Sequence, residues 1–419
     1  MKKVGILGGG QLGRMLIQAA TDWNLDIHIL DGNPAAPCKD TATVFEVGSI
    51  TDYDTVYNFG KTVDLLTIEI ENVNVDALEQ LEKEGLKVFP QPSIVRTIKD
   101  KRLQKQFYQK HNIPTSPFIL TDNKAEILKN TDFLPAFNKL GTGGYDGRGV
   151  VHLKDENDFE KAFEAPSLLE KAVDIEKELS VIVARNENGE LMAFPPVELV
   201  FDPKYNLVDY LLSPAQISEE IAEKAIEISK NVMNAFGMIG ILAVELFYTK
   251  SGEILVNEVA PRPHNSGHHS IEANITSQFQ QHLRSILNFP LGDTSVLIPA
   301  AMINILGAEG HTGDAHYENL DGEFKTETYD FAMLIPSFSG HGFKAFDKNE
   351  NEITEKLFKG FMLVDADYTP KPYEEWTVQD WPETYQNPSY KNIFAPGIAF
   401  APPHTISKPR FSKNGKCTS

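Results

Sequence analysis

Gly240-Ile-Leu-Ala-Val-Glu245-Leu-Phe-Tyr248 and Glu253-Ile-Leu-Val-Asn257-Glu258-Val259 are two apolar runs joined by a short turn, and each run contains one central carboxylate. The pattern predicts a β-hairpin. If Ser251 and Gly252 form a two-residue turn, Glu245 lies directly opposite Glu258 on one face. Like charges in that position repel, so such a pair persists either by sharing a proton or by binding a cation. We expect a divalent cation, and oxygen ligands with a neighbouring amide suit Mg²⁺. The alternative is an edge hairpin with solvated acids.

The composition is that of an ordinary globular protein of about three domains, with 419 residues, 41% hydrophobic and 23% charged. A net charge of −20 disfavours binding to nucleic acid or to anionic membranes, because both depend on clustered cations. Two cysteines, Cys38 and Cys417, are too few for a disulfide framework. The N-terminus has no cleavable hydrophobic region, and no apolar run reaches the roughly 20 residues that span a bilayer. We therefore expect a cytoplasmic protein.

The first seventy residues alternate between strand and helix patterns. Residues 3–7, 26–30 and 64–70 read as buried strands, and a glycine turn at 8–13 leads into a helix over 14–23. This alternation predicts a doubly wound parallel sheet, in which ligands lie beyond the carboxyl ends of the strands. We expect Gln11, Leu12 and Glu71 to face one such crevice.

The glycine turn also has the spacing of a dinucleotide-binding motif. Gly8, Gly10 and Gly13 follow that spacing, and Asp31 comes eighteen residues after the last glycine. The alternative is a tight turn that needs glycine for close packing. A phosphate of some other ligand is favoured over nicotinamide or flavin.

A second glycine-rich segment follows an extended connector at 113–117. Residues 134–139 and 150–153 read as paired strands, and five glycines lie between them from Gly141 to Gly149. Backbone N–H groups of such a flap can fold onto phosphate oxygens, with Lys139 and Arg148 supplying charge. A merely flexible loop is the alternative. P-loop and protein-kinase motifs do not occur, which disfavours both classes.

The segments around the hairpin add further candidates. Residues 168–173 read as a strand that could form a base-binding hinge, and 218–236 as a core helix. After the hairpin, Arg262 is interpreted as an anion clamp, with a salt bridge to Glu258 as the alternative. The histidines 264, 268 and 269 could form a zinc cluster, but the absence of cysteine ligands disfavours it.

Together these motifs resemble one family. Gly-Gly-Gly-Gln-Leu-Gly-Arg-Met at 8–15, Gly-Gly-Tyr-Asp-Gly-Arg-Gly at 143–149, Asn257-Glu258 and Ala-Pro-Arg-Pro-His-Asn-Ser-Gly at 260–267 resemble the 5-(carboxyamino)imidazole ribonucleotide synthases, ATP-grasp ligases of purine biosynthesis, over about residues 1–320. The resemblance implies that ATP phosphorylates bicarbonate to carboxyphosphate, and that the released carbon dioxide is captured by the amine of 5-aminoimidazole ribonucleotide. It also implies a homodimer.

The resemblance implies the following fold and domains: an α/β N-terminal doubly wound parallel sheet (pre-ATP-grasp) over 1–98, a two-lobed α+β ATP-grasp domain over 99–295, the start of a truncated C-terminal domain over 296–320 and an atypical tail over 321–419.

The resemblance also assigns site residues. ATP contacts fall on Lys101, Lys139, Gly144, Tyr145, Asp146, Gly147, Arg148, Gly149, Val150, Glu170, Lys171, Ala172, Val173, Glu178, Glu198, Asn257 and Glu258. Magnesium ligands are Glu245, Asn257 and Glu258. Ribonucleotide contacts are Gln11, Leu12, Glu71, Asn265 and Ser266, and the residues around bicarbonate and the attacking amine are Tyr145, Asp146, Arg148, Arg262 and His264.

The tail departs from the family. The Arg-Pro-Gly-Arg-Lys type segment that grips the substrate 5′-phosphate is missing, so we expect poor ribonucleotide affinity. Residues 329–336, 360–367 and 392–404 instead resemble the C-terminal part of sulfide:quinone oxidoreductase-type flavoproteins, which suggests a fused or spliced fragment. Three alternatives stay open: a flavin- or nicotinamide-dependent oxidoreductase, an ATP-grasp ligase with another acceptor, and an ATP-binding protein inactivated by its tail.

Overall fold

The computed structural model describes residues 2–143, 149–201 and 208–304, together with the backbone of two short strands, Met362–Leu363 and Phe400–Ala401. The chain forms two compact units, and everything up to residue 304 belongs to the first. In the second unit the two short strands pair in parallel. The remaining residues of the predicted atypical tail lie outside the described residues.

The N-terminal region is a parallel sheet with helices on its faces, as predicted. Its strands are β1 (Lys3–Leu7), β2 (Asp26–Asp31), β3 (Val44–Val47), β4 (Leu65–Ile68) and β5 (Lys87–Val88), and its helices are α1 (Gln11–Thr21), α2 (Tyr53–Gly60), α3 (Val75–Lys83) and α4 (Pro92–Lys99). The spatial order is β3-β2-β1-β4-β5, with every pair parallel. Strand order reverses between β1 and β4, so the crevice beyond their carboxyl ends is the expected ligand position.

A four-stranded antiparallel sheet comes next. It contains β6 (Phe118–Thr121), β7 (Ala136–Leu140), β8 (Val150–Leu153) and β9 (Ser167–Lys171), in the order β6-β9-β7-β8, with helices α5 (Lys101–Lys110) and α6 (Lys124–Ile127). Two 3₁₀ turns lie at Thr131–Phe133 and Glu156–Lys161. Lys139 of β7 pairs with Val150 of β8, so the predicted flap does join two paired strands.

The largest sheet is a second antiparallel layer. Its strands are β10 (Ile175–Arg185), β11 (Leu191–Ala193), β12 (Val197–Phe201), β13 (Val208–Ser213), β14 (Gly240–Thr249), β15 (Ile254–Ala260) and β16 (Ala300–Ile303), in the order β15-β14-β10-β12-β13-β16 with β11 beside β10. Its helices are α7 (Glu219–Phe236), α8 (Ser270–Ala273) and α9 (Gln278–Ile286), with a 3₁₀ turn at Asn265–Gly267. One sheet face packs against α7, and α9 contacts β10 and β14.

Helix α7 is the predicted core helix. The Ser218 hydroxyl accepts a hydrogen bond from the N–H of Ile221, and Gly237 ends the helix in the left-handed region at φ 59°. Ala225 and Val232 are buried against β10 and β14. Among the described residues, no helix is both long and apolar enough to cross a membrane.

The hairpin turn differs from the predicted one. Thr249 donates its N–H to the carbonyl of Glu253 at 2.9 Å, so three residues, not two, form the loop. The reason is Gly252, whose φ of +86° supplies the left-handed residue that a three-residue hairpin loop requires.

A bulge in β15 compensates for the extra loop residue. Leu246 pairs with Val256, but the next pair is Glu245 with Glu258, and Asn257 is the inserted residue. The two single-residue shifts cancel. The predicted pairing of Glu245 with Glu258 is therefore confirmed, although the turn that predicted it was wrong.

Candidate active site

The start of α5 is attached to the base of the flap. Helix α4 ends at Lys99 and α5 begins at Lys101. Asp100 separates the two helices, and its side chain accepts from the N–H of Arg102. The Lys101 N–H donates to the carbonyl of Gly141 at 2.8 Å. A Cβ at Gly141 would lie 2.5 Å from Nε of Arg102, so glycine permits this approach.

Two predicted phosphate ligands meet two predicted metal ligands. Lys101 Nζ lies 2.6 Å from Glu258 Oε1, and Lys139 Nζ donates to Asn257 Oδ1 at 3.2 Å. Burial raises the pKa of Glu258, but Lys101 and Lys139 outweigh it and hold that pKa below its usual value. Cations from α5 and β7 therefore converge on oxygen atoms of β15.

Lys105, which no sequence pattern singled out, completes this cluster. Lys105 Nζ lies 2.9 Å from Glu170 Oε2, and both side chains are only 3% exposed. Lys139 Nζ contacts the other oxygen of Glu170 at 3.2 Å. Burial raises the pKa of Glu170, but Lys139 and Lys105 more than offset it, so that carboxylate is ionised between its two lysines. The Glu170 side chain thus binds Lys139, a predicted phosphate ligand.

The donor set at the bulge suits a hard divalent cation. Glu245 and Glu258 face each other, and the Asn257 amide oxygen lies on the adjacent bulge residue. Burial, followed by the charges of Glu258 and Glu178, raises the pKa of Glu245 to about 7. The ionised form of Glu245 is therefore destabilised beside Glu258, and a bound cation would relieve that repulsion. Within the described ranges, no group of three or more His, Cys, Asp or Glu is arranged to hold a metal. Any magnesium site here therefore depends on the amide as its third donor.

The predicted nucleotide contacts divide between the two faces of the large sheet. Ser180 pairs with Glu245, which places Glu178, two residues earlier, on the same face as the acid pair. Burial raises the pKa of Glu178 to about 7 despite nearby Lys139. Glu198 pairs with Leu179 on the opposite face, where Lys177 holds both its oxygens at 2.8 Å. The structure does not bring Glu198 to the site.

The hinge backbone is partly engaged within the protein. The N–H groups of Lys171 and Ala172 donate to the carbonyls of Pro117 and Pro135, and Lys171 Nζ reaches carbonyls of Phe133 and Leu134. An adenine ring would thus have to use other groups of this segment, such as those of Val173.

The central part of the flap, with Gly144, Tyr145, Asp146, Gly147 and Arg148, lies outside the described residues. Gly149 and Val150 close it: the Gly149 carbonyl accepts from the N–H of Leu140 at 2.9 Å.

Arg262 follows the β14–β15 hairpin, here called the carboxylate ribbon, and links this ribbon to the N-terminal sheet. Its Nε lies 2.9 Å from Glu71 Oε2, beyond the end of β4. The alternative salt bridge from Arg262 to Glu258 is not the pair that forms, because Glu258 is paired with Lys101. Two predicted site residues that are 191 positions apart are thereby brought together.

The histidines after the ribbon do not form a zinc cluster. His264 Nδ1 lies 2.9 Å from the Ser266 hydroxyl, and His264 Nε2 lies 3.7 Å from Glu245 Oε1. His268 stacks on Phe279 instead. Burial, reinforced by Arg262, lowers the pKa of His264 to about 3, so its ring is neutral near pH 7.

Two predicted ribonucleotide contacts follow His264. The Ser266 side chain is buried and lies 2.8 Å from the Ser180 hydroxyl, so its own hydroxyl is engaged inside the protein. Asn265 is partly buried, at the start of the 3₁₀ turn.

A carboxylate that the sequence did not single out fills the glycine turn. Glu69 accepts hydrogen bonds from the N–H groups of Gly10 and Gly13, and a Cβ at Gly8 or Gly10 would lie 2.4 or 2.5 Å from it. Asp31 accepts from the N–H of Gly9 at 2.7 Å.

In a dinucleotide site these N–H groups would meet a pyrophosphate. The glycines here accommodate Glu69, so the structure favours the close-packing interpretation over the dinucleotide one. Gln11 is exposed beside this turn, and Leu12 is partly buried.

Comparisons with known proteins agree with this architecture. Residues 1–99 match the ribonucleotide synthetase preATP-grasp domain, and residues 106–279 match the ATP-grasp domain. Sheet order, flap and carboxylate ribbon thus define an ATP-grasp protein with a preceding pre-ATP-grasp domain.

Individual relatives show which family of ATP-grasp proteins the chain is similar to. The chain is 36% identical to the N5-carboxyaminoimidazole ribonucleotide synthase of Bacillus subtilis, over 73% of this chain and 81% of that protein. The crystal structure of the Thermotoga maritima synthetase shares 42% identity with a TM-score of 0.69, covering 74% of this chain and 82% of the other. The chain belongs to the N5-carboxyaminoimidazole ribonucleotide synthase family, which confirms the predicted resemblance.

Some relatives are longer. The chloroplastic phosphoribosylaminoimidazole carboxylase of Vigna aconitifolia is 40% identical over 84% of this chain, and this chain spans 62% of its length. An Aspergillus clavatus synthase, solved in complex with ADP and 5-aminoimidazole ribonucleotide, is 32% identical with a TM-score of 0.69 over 74% of this chain and 83% of that one.

Proposed function

We propose that this chain carboxylates 5-aminoimidazole ribonucleotide with bicarbonate and ATP, giving N5-carboxyaminoimidazole ribonucleotide, ADP and phosphate. The observation that carries the proposal is the convergence of Lys101 and Lys139 on Asn257 and Glu258, with Arg262 and His264 following on the same ribbon. A triphosphate and an acceptor would therefore lie against one strand. The Aspergillus clavatus complex with ADP and the same ribonucleotide supports this assignment.

The nucleotide half of the reaction rests on cations that are held in place by acids. Lys101 and Lys139 would bind the ATP phosphates, with Glu170 and Lys105 fixing the position of Lys139. Glu245, Asn257 and Glu258 fit Mg²⁺ as a set of oxygen donors. Bound Mg²⁺ would neutralise phosphate charge during transfer of the γ-phosphoryl group. Glu178 would accept a hydrogen bond from the ribose, and the backbone at Val173 would face the adenine.

The acceptor half lies at the other end of the ribbon. An oxygen of bicarbonate attacks the γ-phosphorus, the bond to ADP breaks, and carboxyphosphate forms. It then splits into carbon dioxide and phosphate, and the amine nitrogen bonds to carbon dioxide and loses a proton. Arg262 would stabilise carboxyphosphate, and His264, which stays neutral because its pKa is lowered to about 3, would hydrogen-bond the reactants, so that the proton passes to a nearby carboxylate or to the released phosphate.

The remaining acceptor contacts are also proposals. Tyr145, Asp146 and Arg148 would close over the reactants from the flap. Gln11, Leu12, Glu71 and Asn265 would contact the ribonucleotide, whereas Ser266 would act only through its backbone. The domain boundaries, the cytoplasmic setting, the homodimer and the weak ribonucleotide affinity stay predictions.

The test is ADP release with bicarbonate, measured with and without 5-aminoimidazole ribonucleotide. Glu258→Gln should lower the stimulated rate at least 100-fold, because it removes a charge that both Lys101 and the cation require. Glu253→Gln, an exposed acid just before β15, is the matched control and should keep the wild-type rate. Unaltered turnover of the Glu258 variant would reject the metal assignment, and a wild-type rate indifferent to the ribonucleotide would favour an ATP-grasp ligase with another acceptor.

A further inference from the structure

Strand pairing of β15 stops where two prolines interrupt the chain. The last pair is Ala243 with Ala260, and the next residues alternate proline with Arg262 up to His264. Proline has no N–H to donate, so this segment cannot continue the ladder. The residues proposed to act on the acceptor therefore lie on backbone that the sheet does not fix.

A side-chain amide from α9 replaces the missing backbone partner. Gln278 Oε1 accepts from the N–H of His264 at 2.9 Å, and Gln278 Nε2 donates to the carbonyl of His264 at 2.7 Å. An amide offers a donor and an acceptor in the spacing of a peptide group, so it can pair with both polar groups of one residue. Gln278 is completely buried, which removes competition from water.

The surrounding structure fixes the orientation of that amide. The backbone N–H of Gln278 donates to the Ser270 hydroxyl at 2.9 Å, and Ser277 forms a capping box with Gln280 at the start of α9. A Cβ at Gly267 would lie 2.4 Å from Gln278 Oε1, so glycine leaves the space that the amide occupies.

The paired residue sits between the acceptor-side groups. Arg262, two residues before His264, forms a salt bridge with Glu71. The His264 ring contacts Ser266 and approaches Glu245. We propose that Gln278 is a positioning residue of the carboxylation reaction, which holds the 262–264 segment in register so that Arg262 and His264 face the acceptor. This inference rests on the proposed function.

The experiment compares Gln278→Glu and Gln278→Met with the wild type. The glutamate keeps one oxygen for the His264 N–H but turns the other against the His264 carbonyl, and the methionine fills the space without either hydrogen bond. We expect both variants to lose at least tenfold in kcat/KM for 5-aminoimidazole ribonucleotide, with the KM for ATP within twofold of the wild type. Gln280→Glu, the same change two residues further along α9 in the capping box, should match the wild type because a carboxylate still accepts from the N–H of Ser277.

The rate of amide hydrogen exchange at His264 tests the hydrogen bonds to Gln278 without measuring enzyme turnover. The His264 amide should exchange at least tenfold faster in Gln278→Met than in the wild type, whereas amides of the buried β10–β14 pair should keep their rates, which separates local release from global destabilisation. Equal losses for ATP and ribonucleotide, or an unchanged exchange rate, would overturn the positioning role. Absence of ribonucleotide stimulation in the wild type would reject the proposed function alone, because exchange at His264 still decides the role of Gln278.

Discussion

Lys105 shows how single residues determine the charge balance of this site. It is an ammonium group with a 3% exposed side chain, and it contacts the Glu170 carboxylate and the Thr115 hydroxyl. Burial lowers its pKa, although Glu170 counteracts that effect. Desolvated ions are stable only when they are paired, so Lys105 and Glu170 depend on each other. Glu170 in turn keeps Lys139 directed at Asn257.

Replacing Lys105 by Met should therefore weaken both the fold and ATP binding. We expect a loss of about 3 kcal/mol of unfolding free energy, because Glu170 keeps a buried charge with one partner fewer. ATP affinity should fall as Glu170 draws Lys139 away from the phosphates. Urea unfolding and calorimetric ATP titration measure the two effects. Lys110→Met, an exposed change on the same helix, is the control, and equal behaviour of the two variants would contradict the pairing.

At the scale of elements, the carboxylate ribbon depends on two irregularities that offset each other. The three-residue loop shifts the pairing by one residue, and the bulge at Asn257 shifts it back before Glu258. The bulge also places an amide beside a carboxylate on a strand where side chains otherwise alternate between faces. The inserted residue would thus supply the third oxygen donor of the proposed Mg²⁺ site.

Deleting Asn257 provides a test of that account. Without Asn257, the regular pairing that begins at the hairpin loop continues past Leu246 and Val256. Glu258 then follows Val256 directly and still lies opposite Glu245. We expect a folded variant whose affinity for ATP with Mg²⁺ falls about tenfold, as in Asn257→Ala, because both lose the amide that contacts Lys139. Titration calorimetry compares the two variants. A deletion variant that binds far worse than Asn257→Ala would show that Glu258 had left its position.

Sequence patterns predicted the elements whose signals are local. The period of α7 with its Ser218 and Gly237 caps and the buried parallel strands follow from local spacing. The facing acids were predicted correctly only because the bulge at Asn257 offsets the error in the predicted turn. The pairs Lys105 with Glu170 and Arg262 with Glu71 join residues far apart in sequence, and nothing local marks them. Glu69 was missed for the same reason, since a glycine motif does not reveal which anion it accommodates.

At the scale of the whole molecule, buried histidines make the fold sensitive to acid. Burial lowers the pKa of His268 and His269 to about 4 and that of His282 to about 3, while unfolded histidine titrates near 6.5. The unfolded chain therefore binds these protons first as the pH falls. Stability is fully present above pH 6.5 and is lost progressively toward pH 4. His282 links α9 to β4 through the Thr67 hydroxyl at 3.0 Å, so the loss involves both α9 and the N-terminal sheet.

His282→Gln should reduce this sensitivity. Each such histidine contributes a slope of about 1.4 kcal/mol per pH unit below pH 6.5, and the substitution removes one of them. Urea unfolding at pH 7.5, 6.0 and 5.0 measures the slope. His152→Gln, at an exposed position, should leave it unchanged. An identical slope in wild type and His282→Gln would contradict the assignment.

The carboxylate of Glu69 has a practical consequence for handling the protein. Because it already satisfies the N–H groups of Gly10 and Gly13, the N-terminal sheet carries its own internal counter-anion. Refolding of this region from denaturant should need no added nucleotide or phosphate. The refolding yield should be the same with and without these anions in the buffer.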